Sequence, residues 1–516
     1  MKKNTLSVAL LATLLGLAAC ETKDITPAPN LQGNGTSTNP TNPTGPTAPT
    51  VTVQGSNDAN SGITTNTTWT ANNRYLLKSY VYVRKGATLT IEPGTIIFGD
   101  KDTKGALIVE PGAKIMAMGT AAKPIIFTSN QPKGSRNYGD WGGVIIAGNA
   151  PVNSIVNGTL PQIEGGPSTK YGGTDAADNS GVFQYVRIEF GGVAFSPNNE
   201  VNGLTLAGVG SGTTLDHVQV SYSGDDAFEW FGGNVNAKYL VAHRTFDDDF
   251  DTDNGYSGKV QFGVSLRDPL QADQSGSKAF ESDNDSGGTT NLPQTSAVFS
   301  NMTLVGPILN PGAAVYSPQY TAGAHIRRNS AESIMNSVFM GYPTNLLIDG
   351  NPTATAISQD NARFKNNILA GALTGSNSTA GQRSILYISG AAGGAGSLTT
   401  NNVMSGDSSA WGAAIGPLTW LKAAANGNRR YATADNVQLL NPFNLTAPGF
   451  TPRTGSPIVS VGTAAPVVPA SFTDSKLTDA FFTKVNYIGA FADPNAAGAT
   501  NWLAGWTNFD PQNTDY

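Results

Sequence analysis

An acidic and aromatic motif that returns at fixed intervals constrains this chain more than any other feature of its sequence. Asp225-Asp226-Ala227-Phe228-Glu229 aligns with Asp247-Asp248-Asp249-Phe250-Asp251 at an offset of 22 residues. The apolar positions ahead of the motif, Val218 and Val220, align with Leu240 and Ala242 at the same offset. A third copy, Lys278-Ala279-Phe280-Glu281-Ser282-Asp283-Asn284, places Phe280 at an offset of 30 from Phe250, so extra residues leave that turn as a loop. Short apolar runs broken by turn residues, recurring with no helix between them, describe a coil of strands whose turns stack. In such a coil Phe228, Phe250 and Phe280 point inward one above the next, and their neighbours point outward.

Two further series support the coil. Leu89-Thr90-Ile91-Glu92-Pro93-Gly94 matches Leu107-Ile108-Val109-Glu110-Pro111-Gly112 at an offset of 18, and each continues into a further strand. These read as the same corner of successive rungs. Asn301 to Gly306, Asn336 to Gly341 and Asn366 to Gly371 repeat an asparagine, an apolar run and a glycine. Asparagine tolerates a left-handed turn, and its amide reaches the equivalent turn one rung away. Only 13% of residues are charged, against 60 glycines and 30 prolines. Such a chain is poor in helix formers and belongs to the all-β class.

Stacked strands with phenylalanine at one level and asparagine at a turn resemble pectate-lyase-type right-handed parallel β-helices, which use internal aromatic stacks and asparagine ladders. Gly455-Ser456-Pro457-Ile458 is similar to a turn near the end of many such coils. With Trp141-Gly142-Gly143 and the Tyr487-to-Phe491 segment, the ensemble resembles β-helix lipoproteins of Bacteroidota-type bacteria from Val51 to Tyr516. The expected fold is therefore a right-handed parallel β-helix (a solenoid) over residues 51–460, with its end and cap in 461–516. The open ends of a solenoid need covering. Trp69 to Tyr82 are expected to close the start, and Trp502, Trp506 and Phe509 the end, with a short helical excursion over Trp411 to Ala425.

The first residues carry an address. Lys2 and Lys3 precede an apolar run from Leu6 to Ala19, too short to span a bilayer but fitting a signal peptide. Its end, Leu17-Ala18-Ala19-Cys20, resembles the lipobox of bacterial lipoproteins, which implies lipidation of Cys20, the one cysteine of the chain. Residues 1–20 are thus expected as a signal peptide. Residues 21–50, rich in Thr, Pro and Asn, are expected as a disordered linker that cannot bury enough apolar surface to fold. Glu21 and Asp24 resemble the acidic surface-export tag of such lipoproteins. Together these imply a protein held on the outer membrane by a lipid at Cys20, at the cell surface.

The carboxylates of the repeat are the candidate site. Glu229, Asp251 and Glu281 fall in one outward column, Asp253 and Asp283 in a second, with Asp225, Asp226, Asp247, Asp248, Asp249 and Asp285 close by. Carboxylates one strand spacing apart repel, so several must protonate unless a cation sits among them. Calcium suits the column because it takes six to eight oxygen ligands in flexible geometry. The alternatives are solvated acidic turns and a catalytic role. For catalysis, Arg244, Arg267 and Lys278 are near in sequence, and Gly224-Asp225-Asp226 resembles the paired aspartates of polygalacturonases. The Gly-His-Gly motif that accompanies those aspartates is missing from the chain, and no Arg-x-Lys motif lies near them in sequence. His217, His243 and His325 show no metal-ligand spacing and read as solvated. A net charge of −6 with no basic stripe argues against a nucleic-acid partner. The sequence thus points to a calcium-stabilised cell-envelope β-helix that binds extended polysaccharide without catalysis. A polysaccharide lyase or glycoside hydrolase, and a structural or adhesive surface protein, stand as alternatives.

Overall fold

The computed structural model describes residues 48–58, 60–196, 199–310, 315–373, 384–388, 403–404, 417–459 and 470–516. The expected signal peptide, Cys20, Glu21, Asp24, the linker up to residue 47 and residues 411–416 lie outside the described residues. What is described belongs to one compact unit, 39–516.

That unit is a right-handed parallel β-helix. Strands pair into a 17-stranded and an 11-stranded sheet, in parallel throughout except that Ile385–Ile388 and Val403–Met404 at one edge of the smaller sheet pair antiparallel. In the 11-stranded sheet Phe228 pairs with Phe250 and Phe250 with Phe280, with Glu229, Asp251 and Glu281 in register beside them. Val218 pairs with Leu240 in the other sheet. The rings of Phe228, Phe250 and Phe280 stack inside the coil, with centroids 5.6 and 5.2 Å apart. All three are fully buried.

The offset of 18 is a different matter. Leu89 pairs with Ile115, whereas Leu107 pairs with Val81 and lies in the other sheet. The two Glu-Pro-Gly turns are therefore different corners of the coil, with the turn of Asp100 to Gly105 between them, not one corner met twice. Both corners place a glycine in the left-handed region, φ 87° at Gly94 and 80° at Gly112, so the same turn chemistry recurs at different places.

The long strands of the larger sheet bend in the middle. Gly181–Glu189 pairs with Lys114–Met118 through its first half and with Ile125–Ser129 through its second. Between the halves Tyr185 takes φ 49°, and His217, Tyr239, Phe262, Asn301, Asn336 and Asn366 hold the same left-handed bend on later rungs. Tyr185, His217 and Tyr239 stack at 4.3 Å intervals on the outside of this bend. Farther along, the Asn366 amide donates to Asn336 Oδ1 at 2.7 Å, a step of an asparagine ladder.

The segment 470–516 takes a path the sequence does not reveal. It runs back along the flank of the coil instead of closing its last rung. Ser471 N–H donates to Asn336, Thr483 N–H to Gln261, and Asn508 N–H to Gln219. Arg136, on a much earlier rung, donates to the carbonyl of Pro511. Trp502 and Trp506 sit edge-on against His217, and Phe509 edge-on against His243. The segment Trp69–Tyr82 likewise forms rungs: Trp69 pairs with Ile91 and Tyr75 with Ile97. Of the expected helical excursion, Pro417–Lys422 is an α-helix.

Candidate metal centre

The outward face of the 11-stranded sheet changes character along the coil. Strand geometry sends alternate side chains outward, and on the early rungs these are Tyr80, Tyr82, Ala106, Ile108, Ile145 and Ala147. They form an apolar cluster with Val152, Ile163 and Tyr171, three residues of an excursion over 148–180 that leaves the coil after Ala147. The next rung presents Thr205 and Ala207, and those after it Glu229, then Asp251 and Asp253, then Glu281 and Asp283. The rung after those presents His325, which pairs with Glu281.

These carboxylates are not solvated turns. Asp226, Glu229, Asp248, Glu281 and Asp283 are buried, and Asp225, Asp247, Asp251 and Asp253 are partly exposed. Ligand oxygens come within 4.8 Å of one another in three groups: Asp225 with Asp226 and Asp247, Asp226 with Glu229 and Asp251, and Asp248 with Asp251 and Glu281. Asp253 and Asp283, in the second column, stand outside these groups.

Cations are distributed unevenly over the cluster. Lys278 Nζ lies 3.3 Å from Asp248 and also contacts Glu281, which Arg327 contacts as well. Asp283 accepts from Arg327 Nε at 2.8 Å and from Arg328 at 2.6 Å. Asp253 accepts from the Asn254 N–H at 2.6 Å. No ion pair joins Asp225, Asp226, Glu229 or Asp251 to a cationic side chain among the described residues. Asp226 accepts from the Asp248 N–H at 2.8 Å, and Glu229 accepts from the Asn202 amide. Oδ1 of Asp251 is buried and accepts nothing.

The electrostatic consequence follows from that imbalance. Burial first, then the neighbouring carboxylates, pushes Asp225, Asp226, Glu229 and Asp251 well above the ordinary carboxyl range. Asp248 is raised less, to about 7, because Lys278 opposes the burial. Asp283 rises to about 8 through burial and Asp253, against Arg328. Two of the three groups, Asp225–Asp226–Asp247 and Asp226–Glu229–Asp251, thus have no ion-pair partner among the described residues, and Asp226–Glu229–Asp251 also holds the orphaned Oδ1 of Asp251. Its oxygen-only donor set suits a hard cation, and the buried acidic cluster could hold a metal ion.

Several expected partners lie elsewhere. Asp249 points into the coil, where Arg267 binds it at 2.8 Å with both side chains fully buried. Arg244 pairs with Asp268 and covers the Tyr222 ring, so of the three bases near in sequence only Lys278 reaches the cluster. His243 and His325 are buried and not solvated; His325 Nε2 is 3.4 Å from Asp349 and its Nδ1 is 3.9 Å from Glu281. Glu164, Asn202, Arg327 and Arg328 were not among the expected site residues. The arginines carried a usable signal: extending the repeat one rung aligns Ala324-His325-Ile326-Arg327 with Phe280-Glu281-Ser282-Asp283. Glu164 carried none, because it lies on an excursion outside the repeat.

A family model described as a pectate-lyase like beta helix domain matches residues 61–416, which include the whole acidic cluster. No curated protein and no solved structure matches the chain.

Proposed function

The chain belongs to the family of pectate-lyase-like β-helix domains, and from that premise we propose that it is a cell-envelope lipoprotein that holds calcium on this face and binds extended polysaccharide without cutting it. The observation that carries the reading is the Asp226–Glu229–Asp251 group, close enough to share one ion and without a cationic partner. Calcium would be held by these three carboxylates; when bound it supplies positive charge and open coordination positions for oxygen ligands. Asp225, Asp247 and Asp251 are partly exposed, so the group opens towards solvent on that side. The large apolar side chains exposed among the described residues include no aromatic ring. Recognition here therefore rests on charge and hydrogen bonding, which favours an anionic polymer whose own carboxylates complete the calcium shell. The fold itself does not decide between binding and chemistry.

Binding of a panel of acidic and neutral polysaccharides, with calcium and with chelator, tests this. Calcium-dependent retention of an acidic polymer with no new chain ends is the expected result. Retention that ignores calcium, or of neutral polymers only, contradicts it. A hydrolase or lyase is the second reading; the hydrolase is favoured by the closeness of the Asp225 and Asp226 carboxyls, whose oxygens lie within 4.8 Å, since glycoside hydrolysis uses a pair of carboxyl groups. Chain shortening that disappears in Asp226→Asn would establish it in place of simple binding.

The anchor has its own test. Cys20→Ser is expected to move the protein from the membrane fraction to the soluble fraction, because lipidation at that sulfur is the proposed attachment. A variant that sediments with membranes as the wild type does would remove the anchor from this account.

A further inference from the structure

The excursion over 148–180 brings a carboxylate of its own, Glu164, to the acidic face, and that place is chemically odd. Most of the seam is apolar: Val152, Ile163 and Tyr171 pack with Tyr80, Tyr82, Val201 and Phe231. The Tyr80 hydroxyl donates to the Gly165 carbonyl at 2.8 Å. Gly165 has φ 74°, and a Cβ there would stand 2.1 Å from Val201, so the backbone beside Glu164 is pressed onto the coil. Glu164 is thereby carried beside Glu229, with the Asn202 amide between the two carboxyls, just outside the three groups whose ligand oxygens lie within 4.8 Å of one another.

Asn202 lies between them, its amide donating to Glu229 and, at 3.5 Å, to Glu164. Its Oδ1 accepts from the Asp226 N–H at 3.2 Å. Glu200 adds a further negative charge to Glu164. No lysine or arginine pairs with Glu164 or Glu229 among the described residues. One rung away, Asp251 turns a buried Oδ1 with no hydrogen-bond donor into the same cluster.

We propose that Glu164 is a further ligand of the cation held by Asp226, Glu229 and Asp251, so that cation binding fastens the excursion onto the sheet. This rests on the calcium reading and extends it from a site on the coil to a site shared with a separate segment. A fourth carboxylate raises the charge that calcium meets, and ligand charge is one of the quantities that sets calcium affinity. Without a cation, Glu164 and Glu229 repel unless one is protonated, and the excursion is held by its apolar seam and by hydrogen bonds such as Tyr80 to Gly165 and Asn153 to Asn284. With the cation bound, the same two groups become the tie between excursion and sheet. The calcium-loaded form is then the one in which the acidic face is both covered on one side and rigid.

Hydrogen exchange over residues 155–170, with calcium and with chelator, reads this directly, alongside calorimetric calcium titration of the wild type and Glu164→Gln. Calcium is expected to protect the excursion of the wild type. Glu164→Gln is expected to weaken calcium binding by about tenfold or more and to abolish the calcium-induced protection. In chelator the variant should be at least as protected as the wild type, because a repelling carboxylate has been removed; this shows that it folds. Unchanged calcium affinity in the variant, or wild-type exchange that calcium does not alter, overturns the proposal while leaving the calcium site on the coil standing. Failure of the wild type to bind calcium at all overturns both.

Discussion

Phe250→Ala is expected to destabilise the coil by about 3–5 kcal/mol, the usual cost of emptying a large aromatic site in a closely packed interior. Phe250 is the middle ring of three, 5.6 Å from Phe228 and 5.2 Å from Phe280, and Phe299 leans on it at 6.2 Å. All four rings are fully buried, so no solvent can enter the space and the surrounding rungs relax only in part. Because a solenoid is held together between neighbouring rungs, the loss should begin locally. Hydrogen exchange should show lost protection first in the strands Phe228–Phe231, Phe250–Asp253 and Lys278–Ser282. Equal loss along every strand would mean that the coil unfolds as one unit and that this stack is not a local keystone.

Arg267→Ala should be of similar size for a different reason. Arg267 and Asp249 form an ion pair with no exposed surface on either side chain. Removing one partner of a buried pair leaves the other charge uncompensated, which costs about 3–5 kcal/mol. Ser265 and Thr245 remain near Asp249 but carry no charge, and burial already holds its carboxyl above the ordinary range. A group whose pKa is raised on folding contributes stability that is present below its unfolded value and lost as pH rises through the folded value. The single variant should therefore be least stable at neutral and alkaline pH and should recover on acidification. Asp249→Asn combined with Arg267→Met should regain most of the loss, since neutral groups of like size carry no such penalty. Equal destabilisation in the single and double variants, measured by denaturant unfolding, would show that packing around Tyr320 and not charge explains the effect.

The parts of this structure that repeat were legible in the sequence, and the parts that do not repeat were not. The 22- and 30-residue offsets set the register of Phe228, Phe250 and Phe280, and with it the column of Glu229, Asp251 and Glu281. Side-chain alternation then dictates which residues face out. Burial of that column could not be read the same way, because the material around it comes from elsewhere. Glu164 arrives on an excursion, and Arg327 and Arg328 replace the acidic residues of the motif on the following rung. The Glu-Pro-Gly pair misled for a related reason: a corner with a left-handed glycine has the same sequence demand wherever the coil turns. The path of 470–516 depends on hydrogen bonds to rungs hundreds of residues earlier, such as Asn508 to Gln219, and no local pattern announces them.

The central claim is that Asp226, Glu229 and Asp251 share a calcium ion, and the direct measurement is calorimetric titration of calcium into chelator-treated protein, wild type and Asp251→Asn. These carboxyls are held well above their ordinary range, so binding must expel protons. The account predicts saturable binding to the wild type, an enthalpy that varies with the ionisation heat of the buffer, weaker affinity at acidic pH, and no binding at this site in Asp251→Asn. It predicts a melting temperature that calcium raises in the wild type alone, by mass action on the folded state. A wild-type protein that takes up no calcium, or an Asp251→Asn variant that binds it as well as the wild type does, would contradict the account.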